Sequence, residues 1–340
     1  MKIILTGGAG FIGCNAAAAW VGRGHTVVVV DNLSRRGTDL NLAWLRQQGE
    51  LTFVQQDIRD ASGLDRVFAQ HLDASAVVHL AGQVAVTTSV TNPREDFEIN
   101  ALGTFNVLEA ARHHCPRATF LFASTNKVYG SLPHARAELV GGRQTLVDRV
   151  HGISEDEPLD FHSPYGCSKG AADQYVLDYA RIYGLKSIAL RQSCIYGRRQ
   201  FGIEDQGWVA WFTIAAALGK PVTVYGDGRQ VRDVLFVDDL VELYDACIAQ
   251  GERVAGRAFN VGGGPRNQLS LLELLDDLGR RMGKPLDIKF AATRPGDQPV
   301  FVADVRRAEQ DLGWVPRTDV KAGVDALFEW VSAHRHLFAG

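Results

Sequence analysis

The sequence lacks the features that would place a protein in a membrane, in an oxidising compartment or on nucleic acid. No run reaches about 18 apolar residues, and the apolar stretch at its start is too short for a signal peptide. The five cysteines are scattered, odd in number and never spaced C-x-x-C, so neither a disulfide framework nor a zinc site is expected. The net charge of −3 provides no basic surface for nucleic acid or an acidic membrane. We expect a reduced, cytoplasmic protein that binds no metal, no nucleic acid and no membrane.

The chain is instead long and rich in glycine. Its 340 residues suffice for about two domains at ~150 residues each. Hydrophobic residues make up 46% and charged residues 22%, which is typical of folded globular proteins and excludes a disordered or fibrous chain. The 35 glycines favour an architecture with many tight turns over a helical bundle.

Short apolar runs alternate with helical patterns between residues 2 and 192. The predicted strands are 2–6, 26–30, 51–55, 76–81, 119–124 and 187–192. The predicted helices are 11–23, 61–71, 93–115 and 166–183. This alternation predicts an α/β fold, namely a Rossmann-type doubly wound parallel sheet with helices on both faces. The segment 131–163 interrupts this alternation of strands and helices, and it is either a functional segment or a surface excursion.

Turns become frequent after Gln192, and the elements between them are shorter. The predicted helices of this part are 208–218, 237–249, 270–282 and 320–332, and the predicted strands are 222–225 and 258–261. We therefore predict a second, smaller domain of mixed α/β structure that is interleaved with the first.

A glycine-rich motif stands between the first strand and the first helix, over residues 7–13 (GGAGFIG). Its glycines permit a tight turn and close approach of a pyrophosphate, and the helix N-terminus offers free N–H groups and partial positive charge. Asp31 ends the second strand, where a carboxylate binds both ribose hydroxyls and repels a 2′-phosphate. The motif predicts NAD rather than NADP, although Arg35 and Arg36 could accept such a phosphate.

Loops at the carboxyl ends of parallel strands line one crevice, so further cofactor contacts are expected there. Asn100 lies in the long predicted helix and is either a cofactor support or a satisfied core amide. The complete set of predicted cofactor-binding residues is Gly7, Gly10, Phe11, Ile12, Gly13, Asp31, Asn32, Ser34, Arg35, Asp57, Ile58, Leu80, Ala81, Gln83, Asn100, Ser124, Tyr165 and Lys169.

Three residues form a candidate catalytic group. Tyr165 and Lys169 are spaced i, i+4 and share one helix face, and Thr125 closes the fifth strand. A tyrosine with a pKa of about 10 is a poor base at neutral pH. A nearby ammonium and a positively charged nicotinamide lower that pKa, so we predict that Tyr165 is a base.

These motifs resemble those of the extended short-chain dehydrogenases/reductases, within their group of sugar-nucleotide epimerases and dehydratases. The resemblance runs nearly end to end. The stretches 124–130, 161–175, 205–208 and 297–304 more specifically resemble the branch that epimerises CDP-linked 3,6-dideoxyhexoses at C2. The resemblance implies an NAD-dependent isomerase of lipopolysaccharide biosynthesis that converts CDP-paratose to CDP-tyvelose. It also implies a homodimer or homotetramer that pairs through helices 93–115 and 166–183.

The change of pattern along the chain predicts that residues 1–192 with 233–262 form the NAD-binding domain and that 193–232 with 263–340 form the sugar-nucleotide domain. The resemblance further implies a set of substrate contacts. Arg232 and Arg294 match positions that clamp the pyrophosphate, and Tyr225 matches a position beside the base. For Trp208 two alternatives stay open, namely a contact with the sugar and packing in the core. The predicted substrate-binding residues are Thr125, Asn126, Lys127, Gln206, Trp208, Tyr225, Arg232 and Arg294.

Two positions separate this chain from dehydratases of the same group. Those enzymes carry Asp-Glu after the catalytic threonine as the acid and base of water elimination, whereas Asn126 and Lys127 stand here. An amide cannot donate a proton as a carboxylic acid does, which disfavours dehydration. Alternate side chains of an extended segment share a face, so Lys127 is predicted to point into the crevice with Thr125.

The expected mechanism is transient oxidation, because the C–H bond at a hydroxyl-bearing carbon is not acidic. Tyr165 takes the hydroxyl proton while hydride passes to NAD⁺, and Thr125 binds the reacting oxygen. Lys169 binds the nicotinamide ribose and lowers the pKa of Tyr165. The ketone then turns over, and hydride returns to its other face. Two alternatives stay open: a UDP-hexose 4-epimerase with the same chemistry at another carbon, and a non-catalytic NAD-binding protein.

Overall fold

Strands and helices alternate along the chain in a computed structural model, which describes residues 1–293 and 298–338. The strands are β1 (Lys2–Thr6), β2 (Thr26–Asp31), β3 (Thr52–Gln55), β4 (Ala76–His79), β5 (Thr119–Thr125), β6 (Ala137–Val140), β7 (Arg143–Leu146), β8 (Lys186–Gln192), β9 (Cys194–Tyr196), β10 (Val222–Tyr225), β11 (Val231–Phe236), β12 (Ala258–Val261), β13 (Gln268–Ser270), β14 (Ile288–Ala291) and β15 (Val300–Phe301).

Thirteen α-helices lie within these described residues. They are α1 (Phe11–Gly22), α2 (Thr38–Leu45), α3 (Ala61–Ala69), α4 (Val86–Thr91), α5 (Pro93–Phe97), α6 (Gly103–His114), α7 (Ser163–Tyr183), α8 (Trp208–Leu218), α9 (Val237–Ala249), α10 (Gly251–Val254), α11 (Leu271–Met282), α12 (Arg306–Leu312) and α13 (Val320–Ala333). A π-helical turn spans Glu98–Leu102, and 3-10 turns span Asn126–Tyr129, Gly264–Arg266 and Arg335–Phe338. None of the described helices is both long and apolar enough to cross a membrane.

The main sheet contains seven parallel strands in the order β3-β2-β1-β4-β5-β8-β12. Its strands are continuous apolar runs because helices cover both faces of the sheet. The strand order reverses between β1 and β4, and the carboxyl ends on either side of that point open a crevice for ligands. The predicted doubly wound parallel sheet is therefore confirmed.

Two apolar layers hold this sheet rigid. On one face, α1 and α9 pack through the fully buried Trp20 and Tyr244. On the other face, α3, α6 and α7 pack around the fully buried Phe68 and Phe120. Each such large side chain contributes about 1.5–3 kcal/mol when it leaves water. The crevice loops therefore start from fixed strand ends.

The second half of the chain builds smaller sheets around a third apolar cluster. Strand β11 pairs with β9, β13 and β15, while β10 pairs with β14. Helices α8, α11 and α13 supply Phe212, Leu278 and Leu327 to that cluster. The predicted domain boundary at residue 233 falls within β11, and α12 packs through Leu312 on the cluster of the main sheet. The division into two domains stays a prediction.

Some elements differ from the sequence prediction. The predicted helix 93–115 is interrupted by the π-helical turn Glu98–Leu102, and α2 and α4 were not predicted. The segment 131–163 contains the antiparallel hairpin β6–β7, whose turn residues Gly141 and Gly142 both have positive φ. The hairpin packs on Val231 of β11 through Leu146. Apolar periodicity misses these elements because they are short or irregular.

Candidate active site

The turn between β1 and α1 brings backbone N–H groups to the crevice. Helix α1 begins after Gly10, and no described side chain caps its first turn. A Cβ atom on Gly13 would lie 2.3 Å from the carbonyl oxygen of Gly7, so only glycine permits this close approach. Free N–H groups and the helix dipole at this position suit a diphosphate.

Asp31 is fixed beside that turn at the end of β2. Its carboxylate accepts the N–H groups of Ala9 at 3.0 Å and Leu33 at 2.8 Å. Burial raises the pKa of Asp31, whereas these backbone hydrogen bonds and the charge of Arg35 lower it. A carboxylate held at this distance from the glycine turn fits the diol of a nucleotide ribose.

Replacing Asp31 with alanine is expected to weaken NAD binding by about 10–100-fold, because charged hydrogen bonds to the ribose are lost. The same change relaxes the rejection of NADP. Titration calorimetry with both dinucleotides measures the two effects, and Asp39→Ala at the exposed start of α2 is the matched control. Tighter binding of NADP than NAD by the unaltered protein would mean that Arg35 and Arg36 decide the preference.

Asp57 and Ile58 follow β3 and lie at the same edge. Hydrogen bonding to Arg59 is the main cause that lowers the pKa of Asp57 to about 2. Asp57 also accepts the side-chain amide of Asn32 at 2.9 Å, which ties the loop after β2 to the loop after β3. Ile58 is buried in the core, and its carbonyl accepts the Asn106 amide at 3.0 Å. Both residues lie at the crevice edge, and their contact with NAD stays a prediction.

The loop after β4 is anchored by Asn100 from the π-helical turn. The Asn100 side chain accepts the N–H of Gln83 at 3.0 Å and donates to its carbonyl at 2.9 Å. A Cβ atom on Gly82 would lie 2.9 Å from Asn100 Oδ1 and 3.9 Å from Lys169 Nζ. Asn100 is thus a buried, hydrogen-bonded amide that anchors the loop next to Lys169, and its support of the cofactor stays a prediction. Leu80 and Ala81 precede this loop.

The predicted catalytic residues meet at the carboxyl end of β5, next to Ser124. Tyr165 and Lys169 lie on α7 and are 7% and 5% exposed, and the Thr125 hydroxyl hydrogen-bonds the Tyr165 side chain. Burial raises the pKa of Tyr165, while Thr125 and Arg35 lower it. The sequence predicted instead that Lys169 lowers the pKa of Tyr165. In the structure the Lys169 ammonium stands 4.1 Å from the centre of the Phe122 ring and near other carboxylates.

Asn126 and Lys127 do not continue the extended strand. Thr125 Oγ1 accepts the N–H of Lys127 at 3.3 Å and thereby caps the 3-10 turn Asn126–Tyr129. The prediction that Lys127 shares the orientation of Thr125 is therefore wrong in its reasoning, because alternation requires an extended backbone. Neither side chain is a carboxylic acid, and Asn126 is buried beside Thr125.

Elements of the second half contribute a cluster around Cys194. The Trp208 indole donates to Cys194 Sγ at 3.4 Å, and Trp208 itself is half-buried at the start of α8. Burial raises the pKa of the Cys194 thiol, whereas Arg232, Trp208 and Lys127 lower it. Trp208 thus contacts a thiol that the sequence reasoning missed, and the charges of Arg232 and Lys127 act on that thiol.

Two other predicted substrate residues, Tyr225 and Gln206, make contacts with the segment 203–206. The Tyr225 hydroxyl at the end of β10 donates to Glu204 at 3.1 Å. Gln206 forms an isolated bridge with Ile203 in the same short segment. Arg294 lies outside the described residues. In the described ranges no group of three or more His, Cys, Asp or Glu side chains could hold a metal ion.

A buried ion pair behind the site was also missed. Arg191 of β8 donates to Asp173 of α7 at 3.1 and 3.0 Å, and Ser124 donates to the same carboxylate at 2.6 Å. Arg191 also donates to the Tyr129 hydroxyl at 3.1 Å. The spacing offered a signal, since Asp173 follows Lys169 by four residues and shares its helix face.

Comparisons with known proteins extend over nearly the whole chain. The sequence profile of the NAD dependent epimerase/dehydratase family matches residues 3–262. CDP-paratose 2-epimerase of Salmonella typhi is 45% identical over 98% of this chain and 100% of the relative. dTDP-glucose 4,6-dehydratase of Shigella flexneri is 32% identical over 98% of this chain and 93% of the relative. The structure of Thermus thermophilus UDP-glucose 4-epimerase with NAD matches at a TM-score of 0.81 and 31% identity, over 98% of this chain and 100% of that chain.

Proposed function

Because the chain belongs to the NAD dependent epimerase/dehydratase family, we propose that it inverts C2 of a CDP-linked 3,6-dideoxyhexose and converts CDP-paratose to CDP-tyvelose. The observation that carries this proposal is the 45% identity to a CDP-paratose 2-epimerase over 98% of the chain. The contact between Thr125 and Tyr165 supports the chemistry, because a phenol and a hydroxyl side by side can serve one substrate oxygen as base and hydrogen-bond donor.

NAD is the cofactor, and the residues at the crevice fit it. The free N–H groups after β1 suit its pyrophosphate, and the Asp31 carboxylate suits the adenosine ribose. The loop that Asn100 anchors lies beside Lys169, where the nicotinamide end would lie. When bound, NAD⁺ supplies a reversible hydride acceptor that is regenerated in each cycle.

The residues of the chain move the proton and hold the reacting oxygen. The Tyr165 phenolate accepts the proton of the C2 hydroxyl, because direct removal of the C2 hydrogen as a proton is too costly. The Thr125 hydroxyl donates to the reacting oxygen and keeps it beside Tyr165. Lys169, beside the loop of Gly82, would hold the nicotinamide ribose. Arg232 holds the pyrophosphate end while the sugar ring turns its other face, and Tyr165 then returns the proton.

The residues after Thr125 argue against dehydration. A 4,6-elimination needs an acid to protonate the departing hydroxyl, and neither Asn126 nor Lys127 is a carboxylic acid. A UDP-hexose 4-epimerase would use the same Thr125, Tyr165 and Lys169, so only the substrate separates it from the present proposal. A non-catalytic protein would have no need of these three residues in one buried cluster.

The proposal is tested by incubating the purified protein with CDP-paratose, UDP-glucose and dTDP-glucose, each with a catalytic amount of NAD⁺. We expect NMR to show inversion at C2 of CDP-paratose alone, with no net formation of NADH. Mass spectrometry of nucleotide released from the denatured protein is expected to identify NAD. Turnover of UDP-glucose in place of CDP-paratose would establish the 4-epimerase, and stoichiometric NADH would establish a dehydrogenase.

We also propose that the enzyme is at least a homodimer, paired through the helices around α7. Large apolar side chains are exposed on α5, α6 and α7, where a monomer would leave them in water. They are Phe97 at 56%, Phe105 at 37%, Tyr175 at 51%, Ile182 at 61% and Tyr183 at 54%. Tyr175 and Ile182 are seven residues apart and therefore lie on one face of α7.

Light scattering at micromolar concentration is expected to give at least twice the 37.2 kDa of one chain. Changing Tyr175 and Ile182 together to glutamate places two charges in the contact, so the mass is expected to fall to that of the monomer. Leu72→Glu is the matched control, since Leu72 is 63% exposed but follows α3. A monomeric mass for the unaltered protein would refute this arrangement.

A further inference from the structure

A buried carboxylate that the mechanism leaves without a role lies beside the catalytic helix. Asp96 of α5 is 1% exposed. Its Oδ1 atom accepts the side-chain amides of Gln83 at 2.8 Å and Asn100 at 3.0 Å. Its Oδ2 atom accepts the Ser168 hydroxyl at 2.5 Å. These donors come from the loop after β4, the π-helical turn and α7, so one side chain joins three elements of the site.

Burial raises the pKa of Asp96, whereas the hydrogen bonds from Ser168, Gln83 and Asn100 lower it and favour the ionised carboxylate. Both amides have fixed orientations, because Asn100 also bonds both backbone groups of Gln83, and the Gln83 amide also donates to the Ala85 carbonyl at 2.9 Å. Oδ1 therefore faces N–H groups only. No described residue forms an ion pair with Asp96, so its charge is compensated by these hydrogen bonds and by more distant cations.

The nearest functional charges are those of the catalytic helix. Ser168 precedes Lys169 directly and lies three residues after Tyr165. Burial lowers the pKa of Lys169 to about 7, and the carboxylates of Asp173 and Asp96 raise it. Asp96 also raises the pKa of Tyr165. Without compensating carboxylates, a lysine buried to this degree would lose its proton at neutral pH.

Other described groups also lie near these two side chains. The charge of Arg35 lowers the pKa of Tyr165. His79 of β4 lies near Lys169, but burial lowers the pKa of His79 to about 3, so its imidazole is neutral. The Phe122 ring offers the Lys169 ammonium a cation–π contact only. Asp96 and Asp173 are thus the anions that act on Lys169.

We propose that Asp96 is a positioning residue of the active site. Its carboxylate fastens the turn of α7 that carries Tyr165 and Lys169 to the loop beside the cofactor crevice, and its negative charge keeps Lys169 an ammonium. The change in turnover that we expect on altering Asp96 rests on the proposed function. The expected change in the ionisation of Tyr165 and Lys169 does not depend on any substrate.

The test is Asp96→Asn, which keeps the size of the side chain and removes its charge. Loss of a nearby negative charge makes the ammonium of Lys169 less stable and the phenolate of Tyr165 more stable. Both limbs of the pH profile of kcat are therefore expected to move to lower pH by about one pH unit. Above the optimum, kcat falls about tenfold, while KM stays within about twofold. A uniform loss of kcat with an unmoved pH profile would overturn the proposal.

Two further variants separate charge from structure. Ser168→Ala removes one hydrogen bond but keeps the carboxylate, so it is expected to lower kcat without moving the pH profile. Asp96→Glu keeps the charge, so the pH profile of kcat is expected to stay unchanged. This variant provides a second measurement if Asp96→Asn folds poorly. A shift of the profile in Ser168→Ala equal to that in Asp96→Asn would also contradict the role of the charge.

A spectroscopic titration keeps this proposal distinct from the proposed function. The absorbance of tyrosinate at ~295 nm is followed in the NAD complex, and the signal of the matching Tyr165→Phe variant is subtracted. Asp96→Asn is expected to lower the midpoint for Tyr165 by about one pH unit, whether or not CDP-paratose is turned over. An unchanged midpoint would overturn the electrostatic role, even in an active enzyme.

Discussion

Tyr165→Phe is expected to lower kcat for CDP-paratose by about 10²–10⁴-fold, which is the usual contribution of a positioned acid–base group. The change removes only the hydroxyl, so the packing of the buried ring and the binding of NAD are expected to persist. Steady-state kinetics by NMR or by chromatography of the two sugar nucleotides measures the loss. Circular dichroism and NAD titration show that fold and cofactor binding are retained.

The matched control is Tyr183→Phe, at the end of the same helix. The Tyr183 side chain is 54% exposed and lies more than four turns beyond Tyr165 along α7. Its hydroxyl has no part in the proposed chemistry, so kcat is expected to remain that of the unaltered enzyme. Near-normal turnover by Tyr165→Phe would remove this tyrosine from the role of the base.

Arg191→Met is expected to lower the free energy of unfolding by about 3–5 kcal/mol, because it leaves the Asp173 carboxylate buried without its cation. The Arg191 side chain is 5% exposed and that of Asp173 is 0% exposed, so water cannot replace the lost partner. Urea unfolding at a fixed NAD concentration measures the change, since bound cofactor itself adds stability.

Two companion variants make this measurement specific. Arg181→Met breaks an exposed pair with Asp178 on α7 and is expected to change stability by less than about 1 kcal/mol. Adding Asp173→Leu to Arg191→Met removes the orphaned charge, so the double variant is expected to be more stable than Arg191→Met alone. A loss below about 1 kcal/mol for Arg191→Met would show that the pair contributes little.

The sequence predicted the features that depend on local patterns. Apolar runs ending in glycine or an acid predicted the parallel strands, and the motif at 7–13 with Asp31 predicted the cofactor crevice. The i, i+4 spacing of Tyr165 and Lys169 predicted their common helix face. These signals are contained within a single element or a single turn, so they can be read without the fold.

What the sequence did not reveal depends on contacts between distant elements. Asp96 looks like an exposed acid of a short helix, and only folding brings Gln83 and Ser168 to it. Arg35 is far from Tyr165 in the sequence, so the effect of its charge on the pKa of Tyr165 cannot be read from neighbours in the chain. The reasoning that gave Lys127 the orientation of Thr125 failed, because the Thr125 hydroxyl caps a turn and the backbone is no longer extended there.

The central claim is that the hydrogen at C2 leaves and returns as hydride within one active site, while Tyr165 handles only the hydroxyl proton. The most direct test uses CDP-paratose deuterated at C2, incubated in ordinary water with the enzyme and a catalytic amount of NAD⁺. The account predicts that the CDP-tyvelose formed retains the deuterium at C2, because hydride does not exchange with solvent. Replacement of that deuterium by solvent hydrogen would show that C2 is deprotonated, and it would contradict the account.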